Sequence, residues 1–359
     1  SPIGKFGGSL KRFSAPALAT LTLQECVSRS GIGRAAADWV LLGHARQAGA
    51  GPNPARQAAV KAGFADTTPA ITLNQACASG MTAVFSAVEK IAGGASRTIF
   101  AGGVESMSNT PYYLMDARWG QRLGPGKLTD GMYQDGFHCA LADMVMGETV
   151  ERFIAAEQGI TRHEQDEYAL LSQQRAEMAW KSGGFGRETF PIAAEGKLPG
   201  LAEDEHRRGS TTLESLAKLP PVFDSKTGTL TAGNSSGIVD GAAFVCVSGE
   251  KFAGAQAEVL GCETIALEPE RMGLGPIQAI RNLLKRHGLL MEDVEAFEIN
   301  EAFAAQVIAC QRALDIPMDK LNAWGGAIAI GHPIGASGAR VIVTLLSRLH
   351  ARSGALGVA

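Results

Sequence analysis

An α/β architecture built from two related halves is what this sequence predicts, and three observations carry the prediction. Short apolar runs alternate with helical patterns along most of the chain, as layered α/β proteins require. Glycine is abundant, 44 residues, and pairs of it flank the apolar runs, marking tight turns and close backbone approach rather than linkers. The tripeptide Ala-Ser-Gly opens a long helical pattern twice, at Ala78–Gly80 and at Ala336–Gly338, each time after an apolar run.

In order along the chain, Ala70–Leu73 reads as a strand. A helix follows over Ser79–Ala92, with Met81, Val84, Phe85, Val88 and Ile91 at three- and four-residue spacings. Thr98–Ala101 reads as the next strand. The second half repeats the theme: Val294–Ile299 strand-like, Ala302–Ala313 helical, and Ala327–Ile330 strand-like. A last helix runs from about Ser337, with Val341, Ile342, Leu345, Leu346 and Leu349 on one face. Between the repeats, roughly 108–234 differs in character. It holds the Gly124-Pro125-Gly126 turn, a helical pair near 143–158 and 163–182, and a charged segment at Glu203–Arg208. Insertions of this length usually carry substrate contacts. The expected division is a first half over 1–249, containing the insertion, and a second over 250–359.

Bulk composition excludes several classes. Hydrophobic residues make up 45% and charged residues 19%, with a net charge of −3, ordinary for a globular protein. There is no basic block with interleaved aromatics, so nucleic acid is not an expected partner. No apolar run reaches the ~18 residues of a membrane span. The six cysteines show no CxxC pair and no ligand spacing, which points to reduced thiols and no metal site. The expected compartment is the cytoplasm, or an organelle matrix. Ser1–Gly8 reads as the middle of a motif and Leu356–Ala359 as a strand cut short, so a truncated chain is expected.

Three positions could carry chemistry, and all fall at the carboxyl end of an apolar run, where open α/β sheets build their sites. Cys77 lies between a strand and a helix, in Asn74-Gln75-Ala76-Cys77-Ala78-Ser79-Gly80-Met81. A helix N-terminus and its N–H groups favour the thiolate and could stabilise an oxyanion, so a lowered pKa is expected there. The alternative is a buried structural cysteine. His332 sits in the rigid turn Gly331-His332-Pro333-Ile334-Gly335, a fitting place for a base, or for a His bonded to its own turn. Asn300-Glu301-Ala302-Phe303 places a polar pair at a strand end, where Asn300 either serves chemistry or caps a helix. Rival signatures are missing: Gly31-Ile32-Gly33 lacks the third fingerprint glycine, and no GxxxxGK[ST] loop, HExxH or nucleophile elbow occurs.

Taken as an ordered set, Ser1–Gly8, Asn74–Met81, Ala101–Ser108, Thr231–Gly237, Asn300–Phe303 and Gly325–Arg340 resemble the thiolase family over essentially the whole chain. That resemblance implies a five-layer α-β-α-β-α fold of two similar halves with an inserted loop domain, commonly assembled as a homodimer or homotetramer. It implies acyl transfer on coenzyme A thioesters without a separate cofactor, either thiolysis of 3-ketoacyl-CoA or condensation of acetyl-CoA. By the same resemblance Cys77 is the acylated nucleophile and His332 takes its proton. Asn300 holds a water that completes an oxyanion hole, and Arg208, Phe223 and Ser236 lie along coenzyme A. Two departures stand out. The family's second catalytic Cys falls after the segment matching Ala351–Ala359, and no residue here fills that role. Acetoacetyl-specific members carry His-Met-Gly where this chain has Val145-Met146-Gly147, which leaves room for longer acyl chains. A decarboxylating ketoacyl synthase and a non-catalytic acyl-CoA-binding relative are the rival readings.

Overall fold

The computed structural model describes residues 1–196, 199–252, 254–350, 352 and 354–359. The first half runs β1 (Gly4–Lys5), α1 (Ala15–Ser30), β2 (Trp39–Gly43), α2 (Pro54–Lys61), β3 (Ala70–Leu73), α3 (Ser79–Ala92) and β4 (Thr98–Ser106). The insertion follows. It contains β5 (Tyr112–Tyr113) antiparallel to β6 (Thr129–Asp130), and β7 (His138–Cys139) antiparallel to β8 (Met144–Val145). Its helices are α4 (Met146–Val150), prolonged by wider turns over Glu151–Ala156, then α5 (Arg162–Lys181) and α6 (Leu213–Ala217). Strand β9 (Val239–Ser248) returns the chain to the first sheet, whose order is β1-β9-β4-β2-β3. The second half comprises α7 (Gly275–His287), β10 (Val294–Phe297), α8 (Ala304–Leu314), α9 (Ala327–Ile330), α10 (Ile334–Leu349) and β11 (Leu356–Val358). β10 and β11 pair in parallel.

Alternation along the strands sorts the first sheet into two faces. Val40, Leu42 and Phe100 point to α1 and α2, while Leu41, Ile99 and Ala101 point to α3. α10 lies beside α3 in one layer between the sheets, packing on β4 and β9 of the first and on β10 and β11 of the second. Helices α7 and α8 cover the second sheet from outside with a core around Val294, Phe297, Val307 and Leu284. The stack is the expected α-β-α-β-α. Two buried ion pairs fasten α10 in place, Arg340–Glu188 of the insertion at 2.7 Å and Arg348–Glu298 after β10 at 2.6 Å.

The duplicated Ala-Ser-Gly has a physical reason. α3 and α10 cross so closely near their starts that neither glycine could carry a Cβ. One on Gly80 would stand 2.8 Å from the Gly335 carbonyl oxygen and 2.9 Å from the Ala339 nitrogen. One on Gly338 would stand 2.5 Å from the Met81 nitrogen. Each glycine thus meets the residue that follows its counterpart, as a two-fold relation between the halves demands. Gly103 of β4 faces the same crossing, where a Cβ would stand 2.0 Å from the Gly335 oxygen.

The expected strands at Ala70–Leu73 and Thr98–Ala101 and the helix at Ser79–Ala92 are present, the second strand extending to Ser106. Ala327–Ile330, expected as a strand, is instead the short helix α9, with Ile330 N–H and Gly331 N–H bonded back to Gly326 and Ala327. Four apolar residues buried on every side show no period, so a strand and a helical turn look alike in sequence.

Because the atoms facing Gly338 are backbone and cannot swing away, Gly338→Ala is expected to destabilise the protein by about 1–3 kcal/mol, the usual cost of overpacking. Gly186, where a Cβ would meet nothing within 4 Å, provides the control. Urea denaturation of both variants checks this, with Gly186→Ala expected within about 0.5 kcal/mol of the parent.

Candidate active site

Cys77 sits in a turn locked from within. Ala76, just before it, holds the left-handed φ of 48° that is uncommon for a residue with a Cβ. Two side chains pin that conformation through three hydrogen bonds. Asn74 Oδ1 accepts from the Ala76 N–H at 3.0 Å, and Ser79 Oγ donates to the Ala76 carbonyl at 2.6 Å. Ser79 Oγ also accepts from the Gln75 N–H at 2.8 Å. Cys77 is thereby presented, half-buried, at the start of α3.

The other half delivers His332. Gly331 before it has φ 99°, and a Cβ there would strike Val239 at 2.3 Å, so only glycine fits. The His332 N–H donates to the Gly237 carbonyl at 3.0 Å. Its Nε2 lies 3.3 Å from Cys77 Sγ, and its Nδ1 2.6 Å from Ser337 Oγ. Ser337 donates its own hydroxyl proton to the Pro333 carbonyl at 3.1 Å, so it accepts from Nδ1–H. The tautomer follows: Nε2 carries the free lone pair and faces the thiol.

Both members of the pair are held neutral. Burial pushes the Cys77 thiol up to about 11, against the pull of the Arg46 charge. The lowered thiol expected from the helix terminus is therefore not found, because desolvation of a thiolate outweighs a helix dipole. Burial, with Arg46 adding to it, lowers His332 to about 4, so the ring is an unprotonated acceptor at neutral pH.

Beneath the pair lies a charged knot that the sequence reading passed over. Glu105 of β4 is fully buried and accepts from the backbone N–H of Ala45, Arg46 and Gly335, the last at 2.8 Å, while His44 Nε2 lies 3.2 Å from it. Burial raises its pKa, but the His44 bond, the His44 and Arg46 charges and the Gly335 N–H outweigh that and hold it below the usual value. A charged residue inside a nine-residue strand buried throughout was the available signal.

The remaining expected residues fall into two groups. Asn300 is half-buried and lines a cavity of about 20 Å³ with Gly326, Gly331 and Ser337, the last two flanking the His332 turn. Such a volume suffices for one water. Ser236 N–H bonds the Ala302 carbonyl at 3.0 Å, and the next residue, Gly237, holds His332 through its carbonyl. Phe223 packs edge-on against Phe303 at 6.0 Å and lies over Gly147. Glu301, beside Asn300, is fully engaged by Tyr168, Ser172, Asn322 and the Ile328 N–H and belongs to the scaffold. Arg208 is exposed, its backbone held by Gln173 at the N–H and by Thr211 at the carbonyl. His206, absent from the sequence reading, lies against Gly237, and burial lowers it to about 4, with Arg208 adding to the effect. Among the described residues no group of three or more His, Cys, Asp or Glu could hold a metal ion, and no helix is long and apolar enough to cross a membrane.

A cysteine and a histidine from two related halves, joined over the N-termini of paired helices, are also what known proteins of similar sequence allow one to compare. The family described as "Thiolase, N-terminal domain" matches residues 1–251, and "Thiolase, C-terminal domain" matches 254–359. The chain is 42% identical to the acetyl-CoA acetyltransferase of Cupriavidus necator and 43% identical to that of Escherichia coli K12, in each case over 99% of this chain and 92% of the relative. Among solved structures it is similar to the Bacillus anthracis acetyl-CoA acetyltransferase, with a TM-score of 0.92 at 40% identity, covering 99% of this chain and 91% of that one. It is likewise similar to human mitochondrial 3-ketoacyl-CoA thiolase, with a TM-score of 0.93 at 36% identity and coverages of 99% and 92%. With both of its domains matched and the stacked fold and paired half-sites in place, this chain belongs to the thiolase family and is an acyltransferase.

Proposed function

We propose that the protein catalyses reversible thiolysis of 3-ketoacyl-CoA through an acyl group carried on Cys77. The observation that carries this is the 3.3 Å approach of Cys77 Sγ to the free lone pair of His332, with the tautomer set by Ser337. With both groups neutral at rest, the thiol proton passes to Nε2 as sulfur attacks the 3-keto carbon. The bond between C2 and C3 breaks, its electron pair stays on C2, and the proton held on His332 passes to C2, which releases acetyl-CoA and frees Nε2 for the next step. A second coenzyme A then gives its thiol proton to His332, attacks the acyl-Cys77 carbonyl, and Cys77 leaves to recover a proton. Asn300, lining the water-sized cavity beside the His332 turn, is assigned to the oxyanion of each step together with the His332 ring. Ser236 and Phe223 are assigned to the coenzyme A arm and exposed Arg208 to its phosphates. Acetyl-CoA condensation is the same path reversed.

A 1–249 half and a 250–359 half, a homodimer or homotetramer, and a cytoplasmic or matrix location complete the proposal, and rest on likeness to the family.

His332→Ala is expected to slow acylation of Cys77 by ~10²–10⁴-fold, the typical contribution of a general base, while coenzyme A binding changes little. Stopped-flow acylation and calorimetric binding separate the two. Collapsed binding with unchanged acylation of bound substrate would make His332 a turn residue only.

The acyl pocket is expected to accept chains longer than acetoacetyl. Val145 is half-buried, and Gly147 two residues on packs under Phe223, which itself lies on Phe303, three residues past Asn300. An apolar wall there gains up to ~0.8 kcal/mol per buried methylene. The ratio kcat/KM for C4, C6 and C8 3-ketoacyl-CoA should therefore rise with length, and Val145→His should move the preference back toward C4. Activity confined to C4 in both proteins would refute the pocket argument.

A further inference from the structure

Arg46 is a buried cation that the chemistry above does not use. It follows β2 and its side chain is 4% exposed. Only one of its side-chain nitrogens is satisfied, Nη2, which donates to the Met132 carbonyl at 3.2 Å. Nε and Nη1 are buried without a hydrogen-bond partner. The guanidinium lies over the Phe137 ring at 4.8 Å. The carboxylate of the knot, Glu105, is spent elsewhere: it receives the Arg46 backbone N–H at 3.1 Å, His44 and two further N–H groups, and forms no ion pair with the Arg46 side chain among the described residues.

The side chains packed with that cation are apolar, with Glu105, Asp135 and Asp130 acting on it without an ion pair among the described residues, and the same cluster surrounds the nucleophile. Met132 and Phe137, the two groups that hold the guanidinium, pack in one cluster with Ala45, Met107, Ile334 and Cys77. Ala45 is tied to the nucleophile's turn as well, its carbonyl accepting from Asn74 Nδ2 at 3.0 Å. Of the residues in this cluster, only Cys77 can take on a negative charge. A cation kept in a low-dielectric setting with two donors unanswered is expensive unless an anion forms beside it.

We propose that Arg46 is a positioning residue for the thiolase reaction, holding a permanent positive charge beside Cys77 so that the negative charge created on sulfur is stabilised within the protein. The inference rests on the nucleophilic role assigned to Cys77. As the thiol proton passes to His332 Nε2, negative charge builds on sulfur until its electron pair forms the bond to the acyl carbon, and Arg46 stabilises that charge. The same cation opposes a proton lingering on His332, and so favours its transfer onward to the departing group. The groups acting on Cys77 are His332 from the turn before α10, Arg46 from the end of β2 and Glu105 from β4, which opposes Arg46. Asp130 of β6 and Asp135 of the insertion act on Arg46 itself.

The test follows the Cys77 peptide by mass spectrometry during alkylation with uncharged iodoacetamide from pH 7 to 9.5, in the full chain and in Arg46→Met and Arg46→Lys. Arg46→Met should label about tenfold more slowly at each pH, the equivalent of one pH unit in the thiol. Arg46→Lys, which keeps the charge, should stay within about threefold of the parent, under half a pH unit. Circular dichroism checks folding, and Arg46→Gln replaces the methionine variant should that one not fold. Unchanged labelling in the neutral variant overturns the proposal, as does a lysine variant as slow as the neutral one, since packing rather than charge would then be at work. Acylation of Cys77 by acetoacetyl-CoA is measured on the parent alongside. Intact acylation with no charge effect removes the role of Arg46 alone, whereas absent acylation removes the nucleophilic role of Cys77 on which it rests.

Discussion

The contact between α3 and α10 at Gly80 and Gly338 is the constraint from which the rest of the arrangement follows. Two helices meet near their starts at a distance no β-carbon allows, so the segments that feed them, β3 before α3 and α9 before α10, must end nearby. Cys77 belongs to the turn entering one helix and His332 to the turn entering the other. Bringing the helices together therefore brings sulfur to nitrogen. The two serines of the repeated tripeptide have parallel duties: Ser79 locks the cysteine turn through the Ala76 carbonyl, and Ser337 locks the histidine through Nδ1. One short motif, used twice, shapes both a packing contact and both turns of the site.

Enclosure then decides the charge states. Taking the pair out of water disfavours thiolate and imidazolium alike, which is why the thiol rises and the imidazole falls. A resting ion pair of the kind found in other cysteine nucleophiles is not what this geometry holds. The proton must move as the substrate arrives, in one direction, along a 3.3 Å path. The buried Glu105 stitches β4, the end of β2 and the first turn of α10, and so keeps the two halves in register beneath that path.

Much of this was legible in the residues. Ala70–Leu73 and Ser79–Ala92 follow from period and from the Ala-Ser-Gly start; Cys77 stands at a strand end as expected, whereas His332 follows the short helix α9, and the pairing of the two was implied by the resemblance alone. Ala327–Ile330 was misread because a fully buried tetrapeptide has no period to reveal its helix. The thiol's direction was misread because a helix terminus is visible in sequence and burial is not. Arg46 and Glu105 stand in plain view as charges beside apolar strands, yet only three-dimensional packing shows that one is spent on backbone N–H groups and the other left unanswered.

Neither turn of the site is complete without the other half. His332 reaches its position through Gly237, beyond the insertion, and its ring finds the thiol only across the helix crossing. A species with one sheet formed and the other still loose would possess a cysteine or a base, and no proton path between them. Recovery of turnover during refolding should consequently lag behind recovery of helical signal and keep pace with docking of the two sheets, which makes enzymatic assay a probe of global assembly rather than of local order.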